Sequence, residues 1–207
     1  MTQPRTLLFL PGATGRADFW RPLAGTIDLP AQQRLLAWPG FGDAPARADV
    51  NGFDDLVDMV LAEMERADSS PCALIAQSMG GAIALRAAVA RPQAVSHLVL
   101  TATSGGIDLG GTGAVDWRPA FFAANPQLPR WFGSYREDLS QRIQALHIPT
   151  LLIWGDSDPI SPVAVGVRLR GLLRNARLHV VPGGDHDVAQ THAQQLAPIV
   201  AGHLRQT

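Results

Sequence analysis

Residues 72–81, CALIAQSMGG, constrain the fold of this chain more than any other stretch. The first five, Cys72-Ala73-Leu74-Ile75-Ala76, make a short apolar run of the kind found in strands buried on both faces. The second half turns abruptly to small residues. Residues 82–90 (AIALRAAVA) are rich in Ala and Leu and stop at Arg91-Pro92, a helix stop. Ser78 therefore stands where a buried strand becomes a buried helix. Ala76 and Gly80 flank it in the pattern small-x-Ser-x-small. A strand and a helix joined that sharply force the serine into a strained backbone conformation, which only small neighbours accommodate. The strain exposes the hydroxyl, and the helix N-terminus behind it aims N–H groups at any anion that forms there.

The rest of the chain alternates in the same way. Residues 6–10 (TLLFL) read as a strand running into the Gly-rich turn PGATG, and residues 18–24 as a short helix. A second apolar run, residues 34–38 (RLLAW), precedes Pro39-Gly40-Phe41-Gly42. Asn51 is a plausible N-cap for a helix carrying Phe53, Leu56, Val57, Val60, Leu61 and Met64 on one face, which Ser69-Ser70-Pro71 ends. Strands are expected at residues 97–101, 150–154 and 177–181, and helices at 139–147, 163–173 and 188–204. Between 103 and 146 the rhythm breaks into glycines, prolines and the aromatics Trp117, Phe121, Phe122, Trp131, Phe132 and Tyr135. Six strands alternating with helices imply parallel βαβ units in one domain, residues 1–207, with functional loops at the carboxyl ends of the strands.

Composition excludes several kinds of chemistry. All 17 basic residues are Arg, so there is no P-loop lysine, Schiff-base lysine or Ser–Lys pair. A net charge of −1 offers no basic footprint for nucleic acid or membrane. No metal-ligand spacing is present, and no metal or cofactor is expected. Cys72 is the sole cysteine, and the run Leu7-Leu8-Phe9-Leu10 is too short for a signal peptide, so the cytoplasm is the expected compartment.

The turn at Ser78 resembles the nucleophile elbow of the α/β-hydrolase superfamily, with Ala76 where Gly is commoner. Three further motifs stand in register with it along nearly the whole chain. PGATG is similar to the family's oxyanion loop, with Pro11 in place of His and Ala13 at the donor position. GDSDPISP resembles the family's Gly-x-x-Asp-Pro-x-x-Pro stretch and puts the acid at Asp158, leaving Asp156 to form the turn. His186 follows in a Gly-Gly-Asp-His loop after the last strand, completing the order Ser…Asp…His. The turn Pro39-Gly40-Phe41-Gly42 is also similar to a family turn, with Ala37 where Asp is common.

The resemblance implies a trimmed α/β-hydrolase fold: a six-stranded parallel sheet flanked by helices, with a small cap insertion at about 103–146. It implies a Ser78–His186–Asp158 triad with Ala13 and Met79 as backbone oxyanion donors. Trp117, Phe121, Phe122, Trp131 and Phe132 are either a satellite core or the roof of an apolar substrate pocket, and the family's cap position favours the roof. Asp185 and Asp187 flank His186, and either raise its basicity or belong to a solvated loop. Arg16, Arg118, Arg130 and Arg136 are either solvated charges or groups that recognise a carboxylate or phosphate. The implied activity is hydrolysis of a small-molecule ester or thioester with a modest, largely apolar acyl group. Two alternatives stay open, a carbon–carbon bond hydrolase of the same fold and a slow-turnover or non-catalytic small-molecule binding protein.

Overall fold

The computed structural model describes residues 3–67 and 71–206. Ser69 and Ser70, expected to end a helix, lie outside the described residues. Six parallel strands form one sheet in the order β2-β1-β3-β4-β5-β6: β1 (Thr6–Leu10), β2 (Gln32–Leu35), β3 (Cys72–Gln77), β4 (Val95–Thr101), β5 (Thr150–Gly155) and β6 (Ala176–Val181). β1, β3, β4 and β5 are buried at every residue, while β2 and β6 form the partly exposed edges. That difference follows from sequence: continuous apolar runs suit the centre, whereas QQRL and ARLHVV carry polar groups to the edge.

Alternating side chains feed two cores. Leu8, Leu10, Leu74, Leu98, Leu100 and Trp154 point to one face, covered by α2 (Phe53–Glu65), α3 (Met79–Ala90) and α6 (Val163–Leu172). Leu7, Phe9, Ile75, Val99, Leu151 and Ile153 point to the other, covered by α1 (Arg21–Ala24), α7 (Val188–Thr191) and α8 (Ala193–Leu204). Two further helices, α4 (Arg118–Ala124) and α5 (Ser140–Ile143), lie in the irregular stretch between β4 and β5.

Several boundaries differ from the sequence reading: the helix expected over 139–147 spans only Ser140–Ile143, and that expected over 18–24 is a 3-10 turn, Ala17–Trp20, followed by α1. The second strand spans residues 32–35, and Trp38 has left it; its indole Nε1 donates to the Pro11 carbonyl at 3.0 Å, tying the PGATG loop to the core. The N-cap of α2 is Gly52, not Asn51, because Asp55 Oδ2 accepts the backbone N–H of both residues at 2.8 and 2.7 Å. The final helix is two helices, broken at His192, whose ψ of 26° departs from helical geometry.

The chain leaves β1 toward β2 on one side and returns to β3 on the other. This reversal opens a crevice between the carboxyl ends of β1 and β3, where ligands bind in open α/β sheets. The loop after β1 carries Ala13, and the turn after β3 carries Ser78. Gly80 lets them approach, since a Cβ there would sit 2.5 Å from the Pro11 carbonyl oxygen and 2.7 Å from that of Leu10.

Candidate active site

Ser78 sits at φ 52°, ψ −120°, a region costly for any residue with a Cβ. Its backbone is tied on both sides. The Ser78 N–H donates to the Thr101 carbonyl at 3.0 Å, and its own carbonyl accepts from Thr103 Oγ1 at 2.5 Å and Gly81 N at 3.0 Å. These bonds from β4, its following loop and α3 hold the strain in place.

The hydroxyl faces His186. Ser78 Oγ lies 3.0 Å from Nε2, and Nδ1 lies 2.8 Å from Asp158 Oδ2. Asp158 has no exposed side-chain surface, while His186 keeps 21% of its own. The second oxygen of Asp158 accepts the amides of Ile160 at 2.8 Å and Ser161 at 3.1 Å, fixing the carboxylate after β5. With Asp158 as acceptor, Nδ1 carries the ring proton and Nε2 accepts from Ser78. Asp156 instead accepts the Gly183 amide at 2.7 Å, joining the β5 and β6 loops. Asp185 accepts the Asp187 amide at 3.0 Å and serves the turn.

The Ala13 loop passes directly behind the serine. A Cβ on Gly12 would lie 2.1 Å from Gln77 Oε1 and 3.1 Å from Ser78 Cβ, so only glycine permits the approach. Among the described residues, neither the Ala13 nor the Met79 amide donates to another protein group.

Two cavities meet at Ser78 and His186. The larger, about 480 Å³, is also lined by Met79, Ile107, Phe132 and Tyr135. The smaller, about 390 Å³, is lined by Ala13, Phe19, Ala120 and Phe121. Val115, Asp116, Trp117 and Ile160 line both and form the ridge between them. Burial, then the hydrogen bond to Glu137, pushes the Tyr135 phenol above its usual pKa, so it remains a neutral donor.

Of the five aromatics expected to roof the pocket, Trp117, Phe121 and Phe132 line a cavity. Phe122 and Trp131 line neither. Phe122 packs against Phe132 at 5.2 Å and against Gly133, and Trp131 packs edge-on against Phe41 at 5.6 Å. Both serve the packing of the 103–146 segment onto the core. Two residues were missed: Thr103, and Gln77, whose Nε2 donates to the His186 carbonyl at 3.3 Å. Gln77 was visible inside the elbow stretch, but nothing local to it points to the β6 loop.

A family model of the alpha/beta hydrolase fold matches residues 5–142 and 130–193. The chain belongs to the α/β-hydrolase family. A putative non-heme chloroperoxidase of Synechocystis sp. is 35% identical over 79 residues, which is 38% of this chain and 27% of that protein. A 2-hydroxy-6-oxononadienedioate/2-hydroxy-6-oxononatrienedioate hydrolase of Cupriavidus pinatubonensis is 25% identical, covering 94% of this chain and 83% of that one. The solved meta-cleavage product hydrolase of Pseudomonas fluorescens has the same fold, with a TM-score of 0.75 at 18% identity, covering 98% of this chain and 91% of that one. Among the described residues of this α/β hydrolase, no helix is long and apolar enough to cross a membrane.

Proposed function

We propose that this α/β hydrolase is a serine hydrolase of carboxylic esters or thioesters with a small, largely apolar acyl group. The continuous hydrogen-bonded chain Asp158–His186–Ser78, ending on a strained serine between two cavities, carries the reading. His186 Nε2 takes the Ser78 proton as Oγ attacks the acyl carbonyl, and Asp158 stabilises the imidazolium that results. The amides of Ala13 and Met79 receive the oxyanion, and His186 then protonates the leaving group. A water deprotonated by His186 releases the acid from the acyl-enzyme. The segment 103–146 acts as a small lid whose Trp117, Phe121 and Phe132 face the substrate. The free, buried Cys72 fits a reducing compartment such as the cytoplasm.

Fluorophosphonate labelling tests this. The adduct is expected on Ser78 by mass spectrometry and absent in His186→Ala. No adduct on the folded protein would overturn the reading and leave a binding role for the same cavities. Similarity along 94% of the chain to the oxononadienedioate hydrolase favours a second reading, carbon–carbon bond hydrolysis. Turnover of that dienedioate far above any member of an ester and thioester panel would select it.

A further inference from the structure

The larger cavity holds a pair of arginines whose arrangement the ester reading does not use. Arg118 and Arg136 both line it, and both donate to one acceptor, the Gly133 carbonyl, Arg118 through Nε at 2.8 Å and Arg136 through Nη1 at 2.8 Å. Arg136 Nη1 also donates to the Tyr135 carbonyl at 2.7 Å. The Arg118 guanidinium lies over the Trp117 ring at 5.3 Å, which fixes it against the ridge between the cavities. Two like charges sharing one carbonyl repel each other, and a carbonyl cannot neutralise either.

Among the described residues, one carboxylate pairs with these guanidiniums: Asp116, on Arg118 at 2.9 Å and 60% exposed. The other acids lining the cavity are engaged elsewhere. Glu137 binds Arg86, Arg142 and the Tyr135 hydroxyl. Asp138 accepts the Ser140 amide and hydroxyl, and Asp108 accepts the Gly110 amide and lies 4.0 Å from Arg168. The arginine pair is thus left with one more positive charge than its partners balance. The smaller cavity is lined by no arginine; Asp116 lines both cavities and Asp187 the smaller one alone.

We propose that Arg118 and Arg136 form a carboxylate-binding site in the larger cavity, so that the preferred substrate carries an anionic group on the arm lodged there and an apolar group in the smaller cavity. The substrate half of this inference rests on the serine-hydrolase reading; the anion site does not. A planar guanidinium held by its neighbours loses little freedom in gripping a carboxylate, and such charge-assisted bonds are the stronger kind.

The test has a binding arm and a kinetic arm. Titration calorimetry compares adipate with adipamide, its neutral isostere. Adipate should bind at least about tenfold tighter, the lower range for a hydrogen bond to a charged group. The advantage should vanish in Arg136→Gln and partly persist in Arg136→Lys. Arg136 is chosen because Arg118 still holds Gly133 when it is changed. Equal binding of the two probes to the wild type would overturn the site. In the kinetic arm, the ratio of kcat/KM for monomethyl over dimethyl adipate should reach about ten or more and fall toward one in Arg136→Gln. A wild-type ratio near one, with Ser78 labelled by fluorophosphonate, would overturn the substrate assignment while leaving the hydrolase reading intact. Adipate binding without Ser78 labelling would uphold the site and overturn the hydrolase reading.

Discussion

Histidines sit at both ends of the sheet under opposite conditions. At the carboxyl ends, His186 is part-exposed on a loop, with Asp158 on one ring nitrogen and the Ser78 hydroxyl on the other. Near the amino ends, His97 on β4 and His203 on α8 are at most 2% exposed and cross edge-on at 5.2 Å. His203 Nε2 donates to the Leu98 carbonyl at 3.0 Å, and its Nδ1 faces Arg177 Nη2 at 3.3 Å. His97 Nε2 donates to the Gln206 carbonyl at 2.9 Å, and its buried Nδ1 has no partner among the described residues. Burial, then the neighbouring His97 and Arg177, pulls His203 down to about 4, and burial lowers His97 as well. Burial comes first in this difference, and the partner on the second nitrogen adds to it. A carboxylate there would steady an imidazolium, whereas a guanidinium opposes one, so the same ring suits the base proposed in one place and a neutral strut in the other.

Breaking the upper arrangement should have the largest effect. His186→Ala and Asp158→Asn are each expected to lower kcat by roughly 10,000-fold on an activated ester, measured by steady-state kinetics. Asp156→Asn touches the bonds from the Gly183 amide and the Ser157 hydroxyl, neither of which reaches His186, and should cost far less. Should Asp156→Asn prove the worse of the two acid variants, the acid has been placed on the wrong side of the Ser157 turn.

The lower arrangement should reveal itself through pH. The folded-state pKa of His203, about 4, lies below the ordinary 6.5, so the unfolded chain takes up the proton first as pH falls. The stability that His203 contributes is complete above about pH 6.5 and is lost progressively toward pH 4, reaching about 2–3 kcal/mol. Urea denaturation at pH 7.5 and pH 4.5 reads this, and His203→Gln should remove most of the difference. An unchanged pH dependence in that variant would mean that the pair is not what makes the fold acid-sensitive.

A smaller effect tests how the upper end is assembled. Gly80→Ala pushes a methyl group against the Leu10 and Pro11 carbonyls. Overpacking of this kind costs about 1–3 kcal/mol, and a lowered Tm with weaker Ser78 labelling is expected. A Tm equal to that of the wild type would show that α3 and the β1 loop separate without cost.

The two ends also differ in how far they could be read in the sequence. Buried parallel strands are continuous apolar runs, so TLLFL, CALIA and TLLIW announced themselves, and each upper-end residue follows its strand within a few positions. Ser78, Asp158 and His186 come together because the sheet aligns strand ends, a rule that needs no long-range pairing information. The lower end follows no such rule. His97 reads as one strand residue and His203 as one helix residue, and only the packing of α8 across the sheet joins them. The 103–146 segment lay between these cases. Its aromatics were visible, but without a regular period nothing separated Phe121, which faces a cavity, from Phe122, which packs inward.

The finest test concerns Gln77, a positioning residue 4% exposed beneath the site. Its Nε2 holds the His186 carbonyl, and its Oε1 occupies the space that a Gly12 side chain would fill, so one amide braces both the His186 loop and the Ala13 loop. Neither contact touches the reacting atoms. Gln77→Ala should therefore lower kcat by about three- to tenfold, the worth of roughly one hydrogen bond of about 1 kcal/mol, with KM nearly unchanged. Gln77→Glu should be worse, because a carboxylate cannot donate to the His186 carbonyl and adds a charge below the site. The signature is a fall in kcat while Ser78 still labels and Tm stays within a few degrees. If both variants raised KM and left kcat alone, Gln77 would be shaping the smaller cavity that it lines, not aligning the base with the serine.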